Sequence, residues 1–238
     1  MTKNEEIKDV AVQGEHGVAV VGADLFNMGD NMEGVEAVLP QVKIIHQGQM
    51  FVMPDGNKVQ AFSGTVIDMN RTNAYWEVSF DESGGGDPPT CSSLNGITPD
   101  MSSAEIQSEN GGCPGCPKNV FGSDGKRGKL CKNMKRMHVL MNGSMIPYRL
   151  TVPPSNLKAV DLYVSLLTAQ GIPYQLIETE FGLRSVKNKD GIEYSELILR
   201  NVGPSKMIHS REDAMKMKAL IAQWKHVMRG GQVLADEI

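Results

Sequence analysis

Four cysteines, Cys91, Cys113, Cys116 and Cys131, constrain this chain more than any other feature. They are its only cysteines, and all lie in a Gly- and Pro-rich stretch with too few apolar residues to close a core of its own. A segment as long as 84–135 without regular elements needs something to order it. The spacing is Cys-x21-Cys-x2-Cys-x14-Cys. In Cys113-Pro114-Gly115-Cys116, two intervening residues let both sulfurs reach one ion, and Pro and Gly suit the tight turn. Cys91 and Cys131 then close the coordination from either side. Four thiolates satisfy a structural Zn2+ completely and leave no open position for water. The expectation is one zinc per chain on Cys91, Cys113, Cys116 and Cys131, contributing about 10–16 kcal/mol of apparent binding energy to a lobe that is otherwise shapeless.

Other chemistries use similar cysteines. A thioredoxin-like redox pair belongs between a strand and a helix, whereas Gly-Gly precedes and Pro-Lys follows this pair. An iron–sulfur cluster takes the same four thiolates, and spacing alone leaves it open. A zinc deaminase wants His-x-Glu beside its Cys-x-x-Cys. None of His16, His46, His138, His209 and His226 is followed two residues later by Glu. His138 falls in a predicted strand, which suits a structural histidine.

The chain has 238 residues, 40% of them hydrophobic, and a net charge of −4. That suits one large domain with extensions. No apolar run reaches bilayer length. The charged start, Met1 to Asp9, carries no apolar signal region. Cysteines in such a chain read as metal ligands in a reducing cytoplasm rather than as disulfides. The bulk charge argues against a general polyanion binder, but the distribution argues otherwise. Between Cys113 and His138 stand Lys118, Lys126, Arg127, Lys129, Lys132, Lys135 and Arg136 against one acid, Asp124. A basic lobe on an acidic body focuses its field on one face.

Residues 1–35 are acidic and weakly periodic, and predict a loosely ordered arm. Residues 42–47, 50–53, 59–69 and 74–80 read as short strands, with a turn at Asp55-Gly56. Ser83 to Pro89 breaks the pattern, and no regular element is expected before about 135. Strands return at 137–141 and 145–152. Ser155 is a candidate N-cap for a helix ending at Gly171, with an apolar face from Leu157, Val160, Leu162, Val164, Leu166 and Leu167. Strands at 174–186 and 193–202 flank the turn at 188–191. Ser210, with Asp213 at capping-box spacing, opens a helix to Arg229. Strands, one helix, then a terminal hairpin is the order of a five-stranded OB-type barrel. The expected fold is mainly β (α+β). An OB-like barrel spans 36–203, with 84–135 inserted as a zinc-binding subdomain, and a helix and short tail fill 204–238.

The runs Cys91-Ser92-Ser93, Gly96 to Pro99, Cys113 to Pro117 and Gly128 to Lys132, with Leu150 to Ser155 before a helix, resemble cysteine-bearing proteins of tailed bacteriophages. Over residues 40–205 the chain is similar to the zinc-bearing single-stranded-DNA-binding proteins of those phages, which join an OB barrel to a metal subdomain. The best-known of these uses a mixed His and Cys site, whereas this chain offers four cysteines. The resemblance implies a replication or recombination role in the host cytoplasm, with replication or recombination proteins as partners.

A single strand is held by cations along its backbone and aromatics under its bases. Lys126, Arg127, Lys129, Lys132, Lys135 and Arg136 are the phosphate candidates, extended by Lys43, Arg71 and Arg149. Tyr75, Trp76 and Phe121 are the stacking candidates. Strand neighbours point to opposite faces, so at most one of Tyr75 and Trp76 serves, and Trp76 suits the core. The tail Asp236-Glu237-Ile238 faintly matches partner-recruiting tips. No nucleophile elbow, phosphate-binding loop or zinc-protease helix is present. The chain therefore reads as a single-stranded-DNA binder rather than an enzyme. Two alternatives remain: a zinc-bearing transcription modulator docking on a polymerase, and a metal-dependent nuclease using strand carboxylates such as Asp68, Glu77, Glu178, Glu180 and Glu193.

Overall fold

The sheet is built around one long strand, β6 (Ala61–Tyr75). In a computed structural model, residues 13–14, 17–18, 34–45, 48–78, 87–100, 111–187, 191 and 193–230 are described. The run Val18 to Val21 (beyond Val18), the Gly84 to Gly86 linker, most of the turn at 188–191 and the acidic tail lie outside them.

A separate pair, β1 (Gln13–Gly14) and β2 (Gly17–Val18), precedes the main sheet. That sheet adds β3 (Gln41–Ile45), β4 (Met50–Val52), β5 (Lys58–Val59), β7 (Cys91–Ser93), β8 (Lys132–Met141), β9 (Tyr148–Val152), β10 (Glu178–Lys187) and β11 (Glu193–Asn201). Two helices are described, α1 (Leu157–Ala169) and α2 (Arg211–Arg229). The spatial order is β11-β10-β6-β8-β9-β3-β4-β5, with β7 added beside β6. The fold is mainly β, a curled and open half-barrel with two helices. Strands β6, β8 and β9 form a meander, α1 follows β9, and the β10–β11 hairpin returns to pair β10 antiparallel with β6.

Side chains fasten the β11 edge across the curl. Asn156 is fully buried; its Nδ2 donates to Ser195 O (3.1 Å) and its Oδ1 accepts from Leu197 N–H (3.0 Å). Ser195 Oγ donates to Ile45 O (3.0 Å), linking β11 to β3. Asn156, not Ser155, stands at the N-cap of α1, and it does not cap, because its amide serves β11. At the other end Gly171 takes φ 71°, the left-handed conformation that ends a helix at low cost.

The core lies inside the curl. Val66, Met137, Val139, Leu150, Val152, Val160, Phe181 and Leu197 form one buried cluster. Phe62 meets Phe51 edge-on at 4.9 Å and stacks on Phe181 at 4.6 Å, the two geometries aromatic quadrupoles favour. From α1, Val160, Tyr163 and Leu167 face inward, whereas Leu162 and Leu166 are exposed, so the apolar face is narrower than the sequence predicted. Helix α2 packs Trp224 and Met228 on Leu39 and Ile67 at the outer face. The Ser210 N-cap forms as expected, Oγ accepting from Asp213 N–H at 2.9 Å. No helix among the described residues is long and apolar enough to cross a membrane.

Several elements differ from the sequence reading. β6 runs unbroken through Asn70 to Asn73, because β8 pairs one side and β7 the other near its end. β7 is a strand inside the stretch expected to lack one. β8 begins at Lys132, directly after Cys131, and β10 begins at Glu178, because Tyr174–Leu176 forms a 3-10 turn.

Candidate metal centre and nucleic-acid interface

Among the described residues, hydrogen bonds fasten much of the segment between β6 and β8. Cys91 opens β7 opposite Tyr75. Cys113 N–H donates to Ile97 O at 2.8 Å. Gly112 permits that approach: at φ 89°, a Cβ there would lie 2.5 Å from Ile97 O. Cys113–Gly115 is a 3-10 turn that brings Cys116 N–H to Cys113 O at 3.4 Å. Asn119 Nδ2 donates to the same carbonyl (2.8 Å). Cys131 N–H donates to Lys118 O (2.9 Å), tying the end of the loop to its middle. Asp124 accepts from Lys126 N–H (2.8 Å) and Gly128 N–H (3.0 Å) and shapes the tip.

These constraints put all four thiols on one small cavity of about 20 Å³, with Asn73, Tyr75 and Lys118 also on its wall. That is room for one water-sized or ion-sized occupant. Burial pushes the Cys131 thiol up to about 12, and the Cys113, Cys116 and Cys91 sulfurs add to the shift. Cys91 is raised by burial and then by Cys113 and Cys116. The sulfurs thus sit within electrostatic range of one another, none in a disulfide. They do not form a closed ligand set as they stand: among the described residues, no group of three or more His, Cys, Asp or Glu is arranged to hold a metal ion. The donor set still fits a soft divalent cation, because four sulfurs share one cavity whose backbone is already fastened.

The cations and aromatics sort into two groups. Lys126, Arg127 and Lys132 are exposed, and Phe121 projects from the tip with 77% of its surface open. Lys129 Nζ lies 4.9 Å from the Phe121 ring centroid and donates to Asn119 Oδ1 (3.0 Å). Val120 and Leu130 are exposed beside them. Arg71 and Lys43 are exposed on β6 and β3. Lys135 is paired with Asp161 of α1.

The other candidates sit inside the molecule. Arg136 is 0% exposed and Arg149 9%, on the outer sheet face where α2 arrives, so their guanidinium groups serve the interior rather than an accessible phosphate track. Tyr75 is buried, its ring covered by Lys118 Nζ at 3.6 Å from the centroid. Trp76 is half-buried against Ala74 and Met134, with Nε1 donating to Asp87 O (3.0 Å). His138 is fully buried beside Arg136, Arg149 and Arg229, with its Nδ1 3.7 Å from Asp68 Oδ2. The strand carboxylates take separate partners: Asp68 binds Arg229, Glu178 lies 3.8 Å from Lys206, and Glu193 accepts from Ser185. Lys118 and Asp161, which the sequence did not single out as site residues, matter because they bind a ring and a cation that it did.

Comparison with family models, with curated proteins and with solved structures returned no match.

Proposed function

We propose that the chain is a non-enzymatic single-stranded-DNA-binding protein acting in replication or recombination. In this reading the half-barrel is an OB-type fold. The support is its connectivity: a three-strand meander, a helix, then a hairpin whose first strand returns to the first strand of the meander. The cysteine segment joins the first two strands of that meander, a loop position that OB-folds use for oligonucleotides. Cys91, Cys113, Cys116 and Cys131 would hold one zinc, whose chemistry is purely structural: it would bind all four thiolates and fix the lobe.

The observation that carries the reading is Phe121, an exposed aromatic standing among exposed Lys126 and Arg127 and beside Lys129. An exposed ring with cations around it suits a ligand that pairs bases with phosphates. The exposed Val120, Phe121 and Leu130 also support a second reading, a zinc-bearing module docking on a polymerase or other protein through that tip.

Titration of fluorescent oligo-dT at several salt concentrations separates them. A strand binder prefers dT to duplex, and log K falls by about 0.7 per phosphate contact per log unit of salt, a slope of roughly −4 for about six contacts. Absence of saturable binding at low salt rejects the assignment. Metal analysis is expected to find one zinc per chain; a brown, labile cofactor would indicate iron–sulfur.

A further inference from the structure

Arg71 and Lys135 face each other directly across the β6–β8 ladder. Like charges in that position repel, so the rung is unfavourable without an anion between or beside them. The structure supplies half of one. Asp161 of α1 pairs with Lys135, while Arg71 has no ion-pair partner among the described residues. The two cations line a groove of about 400 Å³ between the ladder and α1, with Met69, Val164 and Ser165 on its other walls.

Strand alternation ties this groove to the cysteine lobe. Beyond the bulge between Val66 and Asp68, residues 69, 71, 73 and 75 share one face of β6, and 137, 135 and 133 share the matching face of β8. Walking outward from the core, the rungs are Met69–Met137, Arg71–Lys135 and Asn73–Asn133, then Tyr75. Asn133 Nδ2 donates to Asn73 Oδ1 (2.8 Å), bridging the third rung. Asn73 and Tyr75 line the cysteine cavity. Arg71 to Tyr75 is about 13 Å of strand, a span of a few nucleotides. Apolar core thus gives way to a cationic rung and then to the lobe along a single face.

We propose that Arg71 and Lys135 form a phosphate subsite in this groove, with Asp161 as an internal counter-anion that the incoming phosphate displaces from Lys135. The occupant is a phosphodiester of the single strand, and to that extent the inference rests on the function proposed above. Asp161, at 64% exposure, is free to swing toward solvent when the phosphate arrives.

The test has two arms. Inorganic phosphate is titrated into the full chain while its amides are followed by NMR; saturable shifts at Arg71, Lys135, Asp161 and Ser165 are expected. Asp161→Asn is expected to take phosphate more tightly, and Arg71→Gln to lose it. Absence of shifts at these residues, or an Asp161→Asn chain that binds no better, overturns the subsite. In the second arm, Arg71→Gln with Lys135→Gln is titrated with oligo-dT. Loss of two contacts is expected to make the salt slope shallower by about 1.4. An unchanged slope in a folded double variant overturns the subsite and leaves strand binding intact. Phosphate shifts in a wild-type chain that ignores oligo-dT overturn strand binding and, with it, the phosphodiester as occupant. Arg71→Gln, at an exposed position, gives the same reading if the double variant fails to fold.

Discussion

Arg229, the last residue of α2, grips Asp68 with two hydrogen bonds, Nε to Oδ2 and Nη2 to Oδ1, each 2.6 Å. Nη2 also donates to Met69 O at 3.0 Å. The grip falls where the β6 register slips between Val66 and Asp68, so the bulge aims the carboxylate at the helix end. A cation in the last turn also suits the helix dipole. Arg229→Gln should therefore cost about 2 kcal/mol, the worth of hydrogen bonds to a charged group whose acceptor is left largely buried. Urea unfolding measures the cost, and hydrogen exchange should show α2 loosening first. A change under about 0.5 kcal/mol would mean that Trp224 and Met228 alone hold the helix.

His138 makes stability depend on pH. Burial, then the Arg136, Arg149 and Arg229 charges, lower its pKa from 6.5 to about 3, so the folded ring is neutral where an unfolded one protonates. Between those values the unfolded state binds more protons. Stability from this group is complete above about 6.5 and is lost as pH falls toward 3. Thermal melts across that window should show a steeper loss for the wild type than for His138→Gln. Equal slopes would mean that the ring titrates normally.

Local signals carried much of this fold and missed what long-range partners decide. The Ser210 cap, the Gly171 stop and the late hairpin depend on neighbouring residues, and each was legible in the sequence. Asn70 to Asn73 read as a break because four polar residues rarely fill a strand. They persist in β6 because Asn70 Nδ2 donates to Leu94 O and Thr72 Oγ1 to Ser93 O, partners more than twenty residues away. Arg136 and Arg149 read as surface charges for the same reason, since nothing local reveals that α2 arrives on their side of the sheet. The cysteines were legible as a set because a shared cavity needs only spacing and turns. The pairing of Lys135 with Asp161 was not, because α1 meets β8 only in the folded molecule.

Asn156 closes the curl that β-pairing leaves open, holding one carbonyl and one amide of β11. Asn156→Ala would strand both in a fully buried site, a cost of about 3 kcal/mol. Denaturant titration should show the midpoint falling with the slope unchanged. Asn156→Asp, which keeps only the acceptor, should fall between the two if its charge is tolerated. A midpoint unchanged in the Ala variant would mean that packing of α1 on β11 closes the seam without it.

If thiolate coordination shapes the lobe, removing the metal should unfold it and spare the half-barrel. Cys131→Ser, or the wild type with a strong chelator, is expected to lose exchange protection over residues 111–131 while β10 and β11 keep theirs. The hydrogen bonds around Asp124 and Ser123 set the opposing case, because they also fix the tip. Protection that survives metal removal would assign the lobe's shape to them.

Phe121 offers the most direct test of the proposed interface. Its ring is open to solvent and belongs to none of the buried clusters, so Phe121→Ala should leave the melting temperature unchanged. Stacking one base is worth about 1–3 kcal/mol, so oligo-dT affinity should drop roughly 5- to 150-fold. The salt slope should not move, because the ring carries no charge. Lys126→Glu should instead change the slope, its ammonium being exposed a few residues away. Separation of the two effects marks base stacking beside phosphate contact. A Phe121→Ala chain that binds strands normally but loses a protein partner would move the tip to the docking reading.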